Sequence, residues 1–278
     1  MANPLSEPGK NYHCNNIEQA ITQALEQARK DQQPFDPALI AALDQFHIGG
    51  LPATLAMLEI AGLDSDDLLL DVGCGLGGPA RVIATQTGCR VVGVDLSADY
   101  CNAAELISKR LNLAARTQFT QANALALPFS ENHFSALWAQ HVTMNIEKKA
   151  ALWQEFARVL NHDGKLLMYE VMLGDGNSDR IEYPMPWARQ ASTSFLASAD
   201  DYRESLSSCG FDISIFQDVS SEALKSVARV VEILSQGKIK QPNLSLLLGD
   251  QYQPMMLNLA KALREKALQV VQVIANNG

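Results

Sequence analysis

From the amino terminus the apolar positions first recur at three and four residues. Ile17, Ala20, Ile21, Ala24, Leu25 and Ala28 predict an amphipathic helix between Asn15 and Lys30. Asp36-Pro37 has the form of an N-cap with a first-turn proline and predicts a short helix to about Leu43, and a third helix is expected from Pro52 to Ala61, stopped by Gly62. Then the period changes. Short apolar runs at Leu68–Asp71, Arg90–Val94, Thr117–Gln121, Phe134–Ala139 and Lys165–Val171 alternate with helical patterns at Gly78–Gln86, from the Ser97 cap to about Leu111, and at Lys148–Leu160, the last closed by Asp163-Gly164. That rhythm predicts a parallel sheet. Two further strands, Phe211–Gln217 and Leu268–Ala275, are separated by about fifty residues carrying helical patterns near Ser221–Leu234 and Gln253–Lys266. The expectation is an α/β fold, a doubly wound, mostly parallel seven-stranded sheet. Residues 1–67 are expected to form a helical N-terminal segment, 68–174 the ligand-binding core, and 175–278 cap helices plus the last two strands of the same domain.

Composition narrows the function classes. A chain of 278 residues suits one α/β unit with an insertion. With 47% hydrophobic and 19% charged residues and no apolar run of about 18, a membrane-spanning protein is not expected. Met1–Asn16 is polar and lacks the basic and apolar regions of a secretory signal, so a cytoplasmic location is expected. Five scattered cysteines without a C-x-x-C pair predict reduced thiols, and no histidine pair has metal-ligand spacing. A net charge of -9 opposes a nucleic-acid partner.

The first strand runs into Asp71-Val72-Gly73-Cys74-Gly75-Leu76-Gly77-Gly78, and a helix follows at once. Glycines there permit a tight turn and a close ligand approach, while the helix start offers free N–H groups. Asp95 ends the second strand, where a carboxylate accepts two ribose hydroxyls. Gly73, Gly75 and Gly78 also satisfy G-x-G-x-x-G, which leaves a nicotinamide oxidoreductase as an alternative. Asp71 argues for the other cofactor class. Beside a pyrophosphate it repels; beside the sulfonium and ammonium of S-adenosylmethionine it is complementary.

From about Leu68 to Val171 the chain is similar to class I S-adenosylmethionine-dependent methyltransferases, whose sheet is Rossmann-like. Asp71–Gly77 matches their D-x-G-x-G-x-G and Asp95 their ribose acid. Asn123-Ala124, just before Leu125–Phe129, stands where the family usually has Asp-Ala against adenine. The resemblance implies a cofactor site of Asp71, Gly73, Gly75, Gly77, Asp95, Leu96, Asn123, Ala124 and Gln140. A narrower resemblance, to sarcosine/dimethylglycine methyltransferase-like proteins, rests on Asp44–Gly50, Gln140–Ile146 and Tyr183–Ala188. It implies N-methylation of a small amino acid-type amine.

For that chemistry His141, just beyond the fourth strand, is the expected catalytic residue, as a base or as an orienting group. His47, Met144, Asn145 and Trp187 are expected at the acceptor, Trp187 through cation-π attraction to an ammonium. Tyr12, Tyr169 and Tyr183 are further wall candidates, His133 and His162 are expected to face solvent, and Cys74 reads as a small filler. The helical patterns between Asp175 and Lys266 predict a cover over the acceptor. An O- or C-methyltransferase for a larger metabolite, and a module that binds without turnover, remain as alternatives.

Overall fold

The computed structural model describes Thr22 and residues 40–176, 178–238 and 243–278. The helix expected at Asn15–Lys30, the Asp36-Pro37 helix start and Tyr12 lie outside the described residues, Thr22 apart.

Strand β1 (Leu68–Val72) lies between β2 (Arg90–Asp95) and β4 (Phe134–Gln140), parallel to both. Strand β3 (Thr117–Gln121) extends the β2 side, and β5 (Leu160–Leu173) the β4 side. Strand β7 (Leu268–Asn277) then runs antiparallel between β5 and β6 (Phe211–Asp218), giving the order β3-β2-β1-β4-β5-β7-β6. The strand order reverses between β1 and β4, so a crevice opens beyond their carboxyl ends, which is where open α/β sheets bind ligands.

Around the sheet stand α1 (Ala41–Asp44), α2 (Gly50–Ala61), α3 (Gly78–Thr87), α4 (Ala98–Arg110), α5 (Lys149–Val159), α6 (Ala199–Ser208), α7 (Ser220–Ser235), α8 (Ser245–Leu248) and α9 (Tyr252–Arg264). Their ends follow local chemistry. Gly62 stops α2 at φ 60, the Ser97 hydroxyl caps α4 by accepting from the Tyr100 N–H, and Ser198 with Asp201 forms a reciprocal capping box on α6.

Alternation along the strands sorts side chains onto two faces. Leu69, Val91, Ala136, Trp138 and Leu167 pack with α2, α3, α7 and α9; Leu70, Val94, Leu137, Leu166 and Met168 pack with α5 and α6. Each fully buried large side chain contributes about 1.5–3 kcal/mol. By the same period-two rule Asp71, Asp95, Gln140 and Tyr169 share the first face, whereas Glu170 belongs to the second.

Two local expectations are corrected. The helix expected to run to Leu160 ends at Val159, because Leu160 already pairs with Phe134; Asp163, at φ 62, turns within the strand instead of closing a helix. Within the expected cover, α6 packs on α5 and β6 as an ordinary sheet-layer helix. Its polar first turn, Ala199-Asp200-Asp201, hides the apolar spacing of Tyr202 and Leu206. No helix among the described residues is long and apolar enough to cross a membrane.

A buried ion pair joins the helical entry segment to the sheet. Arg81 of α3 donates to Asp44 Oδ2 of α1 at 2.8 Å and to the Leu76 carbonyl at 2.6 Å, with longer bonds to the Ala104 carbonyl and the Ser108 hydroxyl on α4. Burial nevertheless pushes the Asp44 carboxyl up to about 6, since Arg81 offsets only part of the desolvation cost. Replacing Arg81 by Met leaves this carboxylate buried without its partner, and a loss of about 3–5 kcal/mol is expected near pH 8. Near pH 5 Asp44 is protonated and the loss shrinks. Urea unfolding at both pH values measures it; equal losses would mean that packing, not charge, is the source.

Candidate active site

The crevice is the mouth of a cavity of about 1010 Å³, at the upper end of small-molecule sites. One end is built by β1, β2 and the glycine loop. Gly73, Gly75 and Gly77 all have positive φ, for three different reasons. A Cβ on Gly73 would lie 2.4 Å from Val142 Cγ2, and one on Gly77 would meet the Phe119 ring at 2.6 Å. At Gly75 a Cβ would meet nothing within 4 Å, so open space adjoins the backbone there. Gly73 and Gly75 line the cavity, whereas Gly77 lies behind it, where its glycine serves the turn and the packing against Phe119.

Asp95 closes the loop, its Oδ2 accepting from the Gly75 N–H at 3.0 Å and its Oδ1 from the Ser97 N–H at 2.9 Å. Leu96, Asn123, Ala124 and Gln140 complete the rim. The Asn123 Oδ1 accepts from the Leu125 N–H at 2.9 Å and keeps a second lone pair. Gln140 Oε1 accepts from Trp138 Nε1 at 3.0 Å, while Gln140 Nε2 and Asp71 Oδ2 are enclosed without partners. Burial, with Asp95 adding to it, pushes the Asp71 carboxyl up to about 8. A lone buried acid, an acidic strand end and open space over Gly75 fit a ligand with a ribose and a positive charge.

Beyond β4 the chain turns through His141, held at φ 56. Two neighbouring residues of β5 fix this turn from opposite faces. Tyr169 stacks on the His141 ring, centroids 5.3 Å apart, while the Glu170 carboxylate accepts from the Val142 and Thr143 N–H groups at 3.1 and 3.2 Å. Lys149 ties the turn to the next segment by donating to the carbonyls of Thr143, Ile146 and Phe195. His141 Nδ1 accepts from the Ile48 N–H at 3.4 Å, and its Nε2 is enclosed without a partner; burial holds its pKa well below the usual histidine value.

His47, His141, Met144, Asn145 and Trp187 all line the cavity. Trp187 is pinned by a 2.9 Å bond from its Nε1 to the Ser194 hydroxyl. His133 and His162 are exposed, as expected. Sequence reasoning missed Gln45 and Thr54, which meet Gln140 and His47 in one hydrogen-bonded group. The available signal is Thr54 itself, a polar residue in a helical stripe otherwise formed by Met57 and Ala61. Also missed was the far end, where Val227 and Val230 of α7, Leu247 and Leu248 of α8, and Met256 and Leu259 of α9 form an apolar vault.

Sheet order, glycine loop and paired acids are those of the class I S-adenosylmethionine-dependent methyltransferase fold. Residues 70–168 match the family described as methyltransferase domain. Sterol 24-C-methyltransferase of Saccharomyces cerevisiae is 31% identical over 166 residues, 58% of this chain and 43% of that protein. The chain thus spans less than half the length of this curated relative. Among solved structures, geranyl diphosphate C-methyltransferase from Streptomyces coelicolor A3(2) aligns with TM-score 0.65 at 20% identity, covering 81% of this chain and 78% of that one. A candidate sarcosine dimethylglycine methyltransferase from Galdieria sulphuraria aligns with TM-score 0.67 at 18% identity, covering 81% and 83%.

The Asp71 carboxyl generates a proton-linked binding prediction. Its raised pKa means that it is protonated below pH 8 in the free protein, and a cationic ligand favours the ionised form. Binding of S-adenosylmethionine therefore expels a proton, and affinity should rise by up to about tenfold per pH unit below pH 8 and level off above it. Titration calorimetry in buffers of different ionisation enthalpy should show the proton release. Asp71→Asn should abolish it; the same release from that variant would assign the proton to another group.

Proposed function

We propose that the protein methylates a carbon of an unsaturated, apolar metabolite, using S-adenosylmethionine held by Asp71, Gly73, Gly75, Asp95, Leu96, Asn123, Ala124 and Gln140. The observation that carries this reading is the apolar vault of α7, α8 and α9, continuous with the cofactor cradle. An isoprenoid or sterol side chain suits such a surface through burial of its CH₂ and CH₃ groups, each worth about 0.8 kcal/mol. The names of the yeast sterol 24-C-methyltransferase and the geranyl diphosphate C-methyltransferase support the same class.

When bound, S-adenosylmethionine supplies an electrophilic methyl group; the residues of the chain exclude water and align the acceptor. Trp187, fixed by Ser194, offers an aromatic face to positive charge developing on the acceptor. Met144 and Asn145 form the wall beside it. His141, with Nδ1 engaged and Nε2 enclosed, orients the acceptor wall as a neutral ring against Tyr169.

A small amino acid-type amine is the second reading, favoured by the likeness to the Galdieria structure and by the motifs at Asp44–Gly50 and Gln140–Ile146. Such an acceptor brings a carboxylate that must be paired when buried. Among the described residues, Lys148 and Lys238 are the cations lining the cavity, and no arginine lines it. The vault leaves most of a small amine's surroundings unfilled. That mismatch in size favours the apolar acceptor.

Methyl-labelled S-adenosylmethionine offered with farnesol, a sterol bearing a side-chain double bond, sarcosine, dimethylglycine and phosphoethanolamine separates the readings. Label is expected in the organic extract, with a new C–C bond seen by NMR. Val230→Trp, which fills the vault, should abolish that transfer while leaving S-adenosylhomocysteine affinity unchanged. Label confined to the amines would overturn the proposal.

A further inference from the structure

We infer that His47, through Nδ1, accepts the proton that the acceptor loses after methylation; this rests on the neutral, unsaturated acceptor proposed above. Two imidazoles line the cavity, their ring centroids 6.1 Å apart, and their hydrogen bonds give them opposite capacities.

The Nε2 of His47 lies 3.1 Å from the Gly50 carbonyl oxygen and 3.1 Å from Thr54 Oγ1. A carbonyl oxygen only accepts, so Nε2 carries the hydrogen and the neutral ring has its lone pair on Nδ1. The Thr54 hydroxyl donates to Gln45 Oε1 at 2.8 Å, which leaves its oxygen free to accept from the same Nε2–H. Thr54 and Gln45 are thus positioning residues for one tautomer. Nδ1 of His47 has no hydrogen bond to a described residue and is not among the enclosed orphan atoms, and His47 lines the cavity. His141 is arranged the other way: its Nδ1 lone pair is occupied by the Ile48 N–H, and its Nε2 is enclosed. Only one of the two rings presents a lone pair to the acceptor.

The step balances without a further reactant. The π pair of the acceptor forms the new C–C bond as the methyl–sulfur bond breaks, sulfur keeping that pair, and the neighbouring carbon is left electron-deficient. An adjacent C–H pair then closes a new double bond while its proton passes to His47 Nδ1. The resulting imidazolium keeps its Nε2–H bond to Gly50, and such a bond strengthens with charge. Burial pulls the His47 pKa down to about 4, which keeps the ring neutral beforehand. A weak base suffices, because a proton beside a cationic carbon is strongly acidic.

Two measurements test this. In the S-adenosylhomocysteine complex with ¹⁵N-labelled histidine, His47 should be neutral with its hydrogen on Nε2. Adding dodecyldimethylamine, whose ammonium stands for the cationic carbon, should shift Nδ1 and leave Nε2 in place. A hydrogen on Nδ1, or an unresponsive Nδ1, overturns the inference whatever the natural acceptor is. With farnesol, His47→Ala should lower formation of the methylated alkene by at least about a hundredfold and raise the share of methylated alcohol formed by water capture. Thr54→Val should do the same more weakly. Unchanged alkene output from His47→Ala also overturns it. If the wild type methylates no alkene, the acceptor proposed above fails, while the NMR result still decides the role of Nδ1.

Discussion

A buried guanidinium is the tie on which the cofactor site depends. Arg81 reaches from the first turns of α3 to Asp44 on α1, to the Leu76 carbonyl inside the glycine loop, and to α4 through Ala104 and Ser108. The Gly73 and Cys74 N–H groups anchor the start of the loop to the Val94 carbonyl, Asp95 holds Gly75, and Arg81 fixes its far end at Leu76. Gly78 shows how closely the parts fit, because a Cβ there would come within 2.2 Å of the Asp44 carbonyl. An ion pair whose desolvation offsets much of its attraction is a poor source of stability. Its worth lies in fixing the geometry of the loop that Asp95 completes.

The second organising constraint is the strand period. Tyr169 and Glu170 are neighbours in sequence and face opposite sides of the sheet, so one supports the His141 ring and the other holds the backbone that follows it. A one-residue slip of β5 would exchange an apolar and a charged group between the two cores. The register Tyr169 to Gln140 on one side and Gln272 on the other leaves no room for that slip.

Much of this was legible in the chain itself. Leu68–Asp71 followed by glycines, Asp95 at a strand end and the alternation of periods give the sheet, its reversal point and most of the residues that line the cavity beside it. What was not legible depends on distance in sequence. Gly77 satisfies the motif yet faces Phe119, forty-two positions away, and no local pattern separates it from Gly75. The likeness of the Gln140–Ile146 motif to an amine methyltransferase says nothing about the vault, whose walls come from residues 227–259. The α6 helix escaped notice because its amphipathic stripe is short and preceded by acids, so its burial is decided by Trp153 and Phe216, not by its own sequence.

The close approach of Gly73 to Val142 has a further consequence. Loop and turn touch where even a methyl group does not fit, so the floor of the chamber behaves as one inherited casting: neither half can be remodelled without the other. The helices overhead face the chamber with the apolar side chains of Val227, Val230, Leu247, Leu248, Met256 and Leu259. Divergence toward new acceptors is thereby channelled into the roof, and relatives can share the same floor while accommodating molecules of very different size.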